Sequence, residues 1–115
     1  MSFSIKKKPT KEELKTKILD IAMNLNRIGN WAADDFNKKR KRILFFLVQT
    51  TEYISSLTPE SFSAPFKKTY HRFLKEYLKL EEEAKIGPKD KLYWAEKMMT
   101  WGNILTHRAK LISNM

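Results

Sequence analysis

Apolar residues return along this chain in steps of three and four, the spacing that puts side chains on one face of an α-helix. Leu14, Ile18, Ile21, Leu25 and Ile28 form the first such stripe. Thr10 precedes it with Glu13 three residues on, a capping-box spacing in which each side chain satisfies an orphan backbone N–H. Gly29-Asn30 reads as a stop, because glycine enters the left-handed region without a Cβ penalty. The pattern predicts a first helix over residues 10–28.

Phe36, Arg40, Ile43, Leu47, Thr50, Ile54 and Leu57 keep the same rhythm and predict a second helix over residues 31–57. At 1.5 Å per residue it would be about 40 Å long. Arg40 falls on its inward stripe and must carry its charge outward along the stem or meet a carboxylate. Phe45 and Phe46 widen the apolar face. Thr58-Pro59-Glu60 is a restart signal, and Pro65 disfavours helical geometry at Ala64. A short turn over 59–62 and a third helix over 65–85 follow, with Phe66, Tyr70, Phe73, Tyr77, Leu80 and Ala84 inward. Gly87-Pro88 ends that helix.

The fourth predicted helix covers residues 88–112, with Asp90 favourable in its first turn. Its inner face carries Ala95, Met98, Gly102, Leu105, Ala109 and Ile112. Ala95, Gly102 and Ala109 recur every seven residues and leave one strip smooth. That strip suits the close approach of a neighbouring helix; the alternative is a groove for a partner helix. The fold class expected is all-α, an antiparallel up-down-up-down four-helix bundle formed by one domain over residues 10–115. Residues 1–9, with Lys6-Lys7-Lys8 ahead of Pro9, are expected to be a short flexible basic arm.

Composition narrows the chemistry. The 115 residues include no cysteine, which excludes a disulfide scaffold, thiolate metal sites and cysteine nucleophiles. The longest wholly apolar run, residues 43–48, is far shorter than the ~20 residues of a membrane span. No apolar stretch in residues 1–10 suggests a signal peptide, so a cytoplasmic protein with no membrane partner is expected. His71 and His107 are preceded three residues earlier by Lys68 and Ile104, so the inward Glu-x-x-His metal motif of helical bundles is absent. Glycines at 29, 87 and 102 cannot build a phosphate loop. Asp34 and Asp35 point about 100° apart on a helix, a poor geometry for sharing a proton, and suit ordinary ion pairs with Lys38 and Lys39. No catalytic residue, metal ligand or cofactor is expected.

Charge is the remaining signal: 23 Lys and Arg against 13 Asp and Glu, a formal net charge of +10. Five consecutive cations, residues 38–42, sweep more than one helical turn. With Phe36 and Ile43 inward, Lys38, Lys41 and Arg42 point outward. On the third helix Lys68, Arg72, Lys75 and Lys79 step by four, three and four along one outer edge. A hairpin between helices two and three would set residue 42 level with about residue 80, so that Lys75 and Lys79 flank the 38–42 cluster. Glu81, Glu82 and Glu83 fall at the same level and could neutralise it.

Two function classes fit. The first is a non-catalytic adaptor for an unknown protein partner, or a self-associating homo-oligomer subunit. It is suggested by the smooth strip and by Trp94 and Trp101, seven apart on one side of the fourth helix, at a core edge or an interface. The alternative is a basic nucleic-acid-binding or accessory protein. There Lys38, Lys41, Arg42, Lys68, Arg72, Lys75 and Lys79 would make sequence-independent contacts to DNA or RNA phosphates.

Overall fold

The computed structural model describes residues 9–113, so the arm expected over residues 1–9 lies, but for Pro9, outside the described residues. The described chain is all-helical and contains no strand. Its elements are α1 (Lys11–Asp35), α2 (Arg40–Ser55), a 3-10 turn (Pro59–Ser61), α3 (Ala64–Ile86), α4 (Lys91–Arg108) and a four-residue α5 (Lys110–Ser113).

The capping box at the start of α1 forms as its spacing implies. The Thr10 hydroxyl accepts from the Glu13 amide at 3.0 Å, and the Glu13 carboxylate accepts from the Thr10 amide at 2.8 Å. The expected stop at Gly29-Asn30 does not occur; α1 runs six residues further. Gly29 is a packing residue instead. A Cβ there would collide with the Met99 side chain and sit 2.9 Å from the Ala95 carbonyl oxygen on α4. The glycine that resembled a terminator lets another helix come close, and the helix continues through it at the usual propensity cost.

The reversal comes at residues 36–39, so the second helix is α2 over sixteen residues and not the span 31–57. Asp35 organises this turn: its carboxylate accepts from the Lys38 amide at 3.0 Å, and its carbonyl accepts from the Lys39 amide at 3.0 Å. Short Asx side chains divert the backbone in this way. Phe36 anchors the turn in the core, edge-on to Trp94 with ring centroids 5.4 Å apart. Downstream, Asp90 is the N-cap of α4 and not a first-turn residue; it accepts from the Tyr93 amide at 2.9 Å. α4 ends at Arg108, and Ala109, still helical in φ and ψ, joins it to α5.

The contacts between helices show opposed numbering. On α1 and α2, Lys17 meets Ser56, and Asn24 donates to Gln49 at 3.0 Å and Thr50 at 3.2 Å. Between α2 and α3, Arg40 donates to the Lys85 carbonyl at 3.0 Å and Tyr77 donates to the Leu47 carbonyl at 3.0 Å. This is how Arg40 leaves the inward stripe: the guanidinium reaches an orphan carbonyl in the last turn of α3. Between α3 and α4, Trp94 Nε1 donates to the Leu80 carbonyl at 2.9 Å, and Phe73 packs on Trp101.

The four helices are not equally close. α1 and α4 make the most extensive pairing, through Gly29, Ala95 and Gly102. α3 presents Phe66, Tyr70, Phe73 and Tyr77 to the core, all buried, in a run of ring contacts from Phe62 through Tyr77. Large rings hold helix axes apart, whereas glycine and alanine let them approach. α3 therefore meets α4 over a wider spacing than α1 does. Trp94 and Trp101 belong to this core, at 2% and 8% exposure, which removes them from the expected interface.

Two pairs of substitutions test this packing. Gly29→Ala sets a methyl against backbone and is expected to cost ~1–3 kcal/mol by overpacking. Gly102→Ala meets only the terminal amide of Asn26, which can rotate, so improved helix propensity should leave it near neutral. Chemical denaturation of both variants checks the order.

Tyr70 carries the one buried side-chain hydroxyl without a partner among the described residues, and burial pushes its pKa up to about 12. Tyr70→Phe is expected to be neutral or stabilising, while Tyr77→Phe loses the bond to Leu47 and costs about 1 kcal/mol. Because the folded Tyr70 holds its proton more tightly than the unfolded one, its share of stability is intact below pH ~10 and falls as pH rises towards 12. Tyr70→Phe should flatten that alkaline decline, read by circular dichroism against pH.

Candidate functional site

The wider spacing between α3 and α4 leaves a surface groove of about 1010 Å³. One wall is the predicted row on α3: Lys68, Arg72, Lys75 and Lys79. Facing it on α4 are Lys97, Trp101, Ile104 and Arg108, again at steps of four, three and four. Each row spans eleven residues, about 17 Å of helix. With the two helices running in opposite senses at their contacts, Lys79 lies near Lys97 at one end, and Lys68 falls level with Arg108 at the other. Trp101 and Ile104 line the groove between Lys97 and Arg108, and Thr69, Thr100 and Asn103 add neutral hydrogen-bonding groups.

Six cations line this groove against a single carboxylate, Glu76. Glu76 is already engaged: Lys97 Nζ lies 2.8 Å from one oxygen and Lys79 Nζ 3.9 Å from the other. The hydrogen bond from Lys97, with the ammonium charge behind it, holds the Glu76 carboxyl below its ordinary range and raises Lys97 in turn. The Lys97 and Glu76 side chains keep 34% and 31% of their surface exposed, so solvent screens the bridge and its contribution to folding is small. Among the described residues, Lys68, Arg72 and Lys75 have no ion-pair partner within 4.0 Å.

The other predicted cluster lies elsewhere. None of residues 38–42 lines the groove, and the turn at 36–39 places Lys38 and Lys39 outside any helix. Lys39 pairs with Asp34 at 2.6 Å, which lowers the Asp34 pKa. Arg42 sits over the Trp31 ring at 5.1 Å, a cation–π contact. Lys38 and Lys41 remain exposed. The acidic triplet does not cover them: Glu81 accepts from Thr51 at 2.7 Å, Glu82 pairs with Lys85 at 3.3 Å, and Glu83 faces the α3–α4 side. The expected flanking of the 38–42 cluster by Lys75 and Lys79 does not form, because their edge of α3 faces α4.

Sequence reasoning found the α3 row and missed its counterpart. Lys97 and Arg108 are eleven residues apart, three helical turns, so their shared face was readable in the spacing. That it faces Lys68–Lys79 depends on which helix α3 packs against. Among the described residues no group of three or more His, Asp or Glu side chains could hold a metal ion, and no helix is long and apolar enough to cross a membrane. No protein-family model, curated protein or solved structure matches this chain.

Glu76 is the internal competitor for these cations. Glu76→Gln is expected to strengthen binding of inorganic polyphosphate several-fold at low salt, by freeing Lys97 and removing one negative charge. For the wild type, affinity should rise as pH falls through the depressed Glu76 pKa, where protonation releases Lys97. The variant should lack that rise. Isothermal titration calorimetry across acidic pH measures both.

Proposed function

We propose that this protein is a non-catalytic nucleic-acid-binding or accessory protein that holds a phosphate backbone in the α3–α4 groove. The observation that carries this reading is the charge of the groove: six cations converge on one concave surface, and its single carboxylate is occupied. Neutralising phosphates there would release condensed counterions, the driving force for sequence-independent binding. The reading takes the four long helices as an up-down-up-down bundle. Opposed numbering across the α1–α2, α2–α3 and α3–α4 contacts supports that arrangement. The 38–42 cluster would be an auxiliary basic surface, since Lys38 and Lys41 are exposed.

A second reading, an adaptor or self-associating subunit, draws support from α2. Phe45 and Val48, one turn apart, are 63% and 60% exposed, and Phe45 packs against Phe46 at the surface. Contiguous exposed apolar surface, as distinct from scattered single residues, marks association sites. The two readings are compatible in one protein.

Fluorescence anisotropy with a labelled mixed-sequence oligonucleotide tests the proposal. Micromolar or tighter binding is expected, weakening steeply between ~50 and ~200 mM salt. Changing Lys68, Arg72 and Lys75 together to Gln should lower the log–log salt slope by about two to three and leave helical circular dichroism intact. Changing Lys38, Lys41 and Arg42 should do less. Equal binding by the groove variant would overturn the site, and no binding at low salt would overturn the class.

A further inference from the structure

The α3–α4 groove does not end at the Glu76–Lys97 bridge. Beyond it lies a second compartment of about 570 Å³, reaching the turn at Gly87 and sharing Glu76, Lys79 and Lys97 with the first. Its volume falls in the ~300–1,000 Å³ range of small-molecule sites. Its charge differs sharply from that of its neighbour. Lys79, Lys89 and Lys97 are balanced by Glu76, Glu83 and Asp90, so the strongly positive groove opens into a neutral chamber.

The chamber also holds what the positive half lacks, an accessible aromatic ring. Trp101 in the first half is almost fully buried, whereas Tyr93 in the second is 58% exposed. Tyr93 stands in the first turn of α4, where its backbone amide is held by the Asp90 cap. Lys97 lies 5.6 Å from the Tyr93 ring centroid while bonded to Glu76, so one lysine links the ring to the charged row. Ile86 and Pro88 add apolar surface beside it.

Resting on the nucleic-acid reading above, we propose that the groove takes a single strand, with phosphates along Lys68–Lys79 and a base stacked on Tyr93 in the turn-end chamber. Phosphate needs positive charge; a base needs a π-face and little net charge. The two halves of the groove meet those needs in sequence along a path of on the order of four nucleotides, the lower end of known single-strand site sizes. A duplex keeps its bases inside the stack and offers none to Tyr93. It is also wider than a cleft between two packed helices.

The test compares three probes, a ten-residue oligothymidylate, the same length of duplex and inorganic polyphosphate, against wild type, Tyr93→Ala, Tyr93→Phe and the Lys68/Arg72/Lys75→Gln variant. Tyr93→Ala should weaken oligothymidylate binding about tenfold, in line with the worth of one stacked base, with the salt slope unchanged. Tyr93→Phe should bind as the wild type does. Polyphosphate, which has no base, should be insensitive to position 93 and sensitive to the lysine row. Wild-type affinity for the oligothymidylate by the Tyr93→Ala variant overturns the proposal, as does equal weakening of polyphosphate or tighter binding of duplex than single strand. The groove reading fails separately, when the lysine-row variant binds oligothymidylate and polyphosphate as tightly as wild type.

Discussion

α1 and α4 lie close because Gly29 has no side chain where Ala95 and Met99 press against it, and because Gly102 leaves room for Asn26. This approach commits the face of α4 that carries Ala95 and Gly102 to α1. The aromatic residues of α3 must then be accommodated on the other side of α4. Phe66, Tyr70, Phe73 and Tyr77 form a ladder of rings on the inner face of α3, where Phe73 packs on Trp101 of α4 and Tyr77 reaches Leu47 of α2. Helix spacing follows side-chain size at the contact. Small residues on one side of α4 and large rings on the other produce an asymmetric molecule with a groove along one seam.

The groove acquires its character from residues that packing leaves free. The α3 positions two residues beyond Phe66, Tyr70, Phe73 and Tyr77 are lysines and one arginine, and the corresponding edge of α4 begins and ends in a cation. Facing rows of like charge repel, at a cost that Glu76 partly offsets by bridging Lys97 and Lys79. That carboxylate makes the groove tolerable to the empty fold and competes with an incoming anion. Successive cations on α3 are separated by a rise of about 5–6 Å, less than the ~8 Å Debye length at physiological salt, so neighbours in the row reinforce one another's field.

Most of the core was legible in the sequence. Leu14, Ile18, Ile21, Leu25 and Ile28, the aromatic stripe of α3, and the face running from Ala95 of α4 to Ile112 of α5 are all buried as their spacing implied. Periodicity reports which face is inward, and burial rewards that face whatever its neighbour. The boundary between α1 and α2 was misread because a glycine can end a helix or admit a partner, and local sequence does not distinguish these roles. Asp34-Asp35 and Asn37, with side chains suited to a turn, carried the better signal. The α3 basic row was visible from its steps of four, three and four. Its assignment to a groove was not, since that depends on α3 presenting this edge to α4 and not to α2. Tyr93 had no periodic signature at all; its importance comes from exposure at the end of a charged groove.

Backbone amide NMR during titration with a short single-stranded oligonucleotide tests the central claim most directly. The account predicts shift changes concentrated along both walls of one groove, over Lys68–Lys79 on α3 and Lys97–Arg108 on α4, with residues 38–42 far less affected. Changes centred on residues 38–42 with both groove walls silent would contradict it.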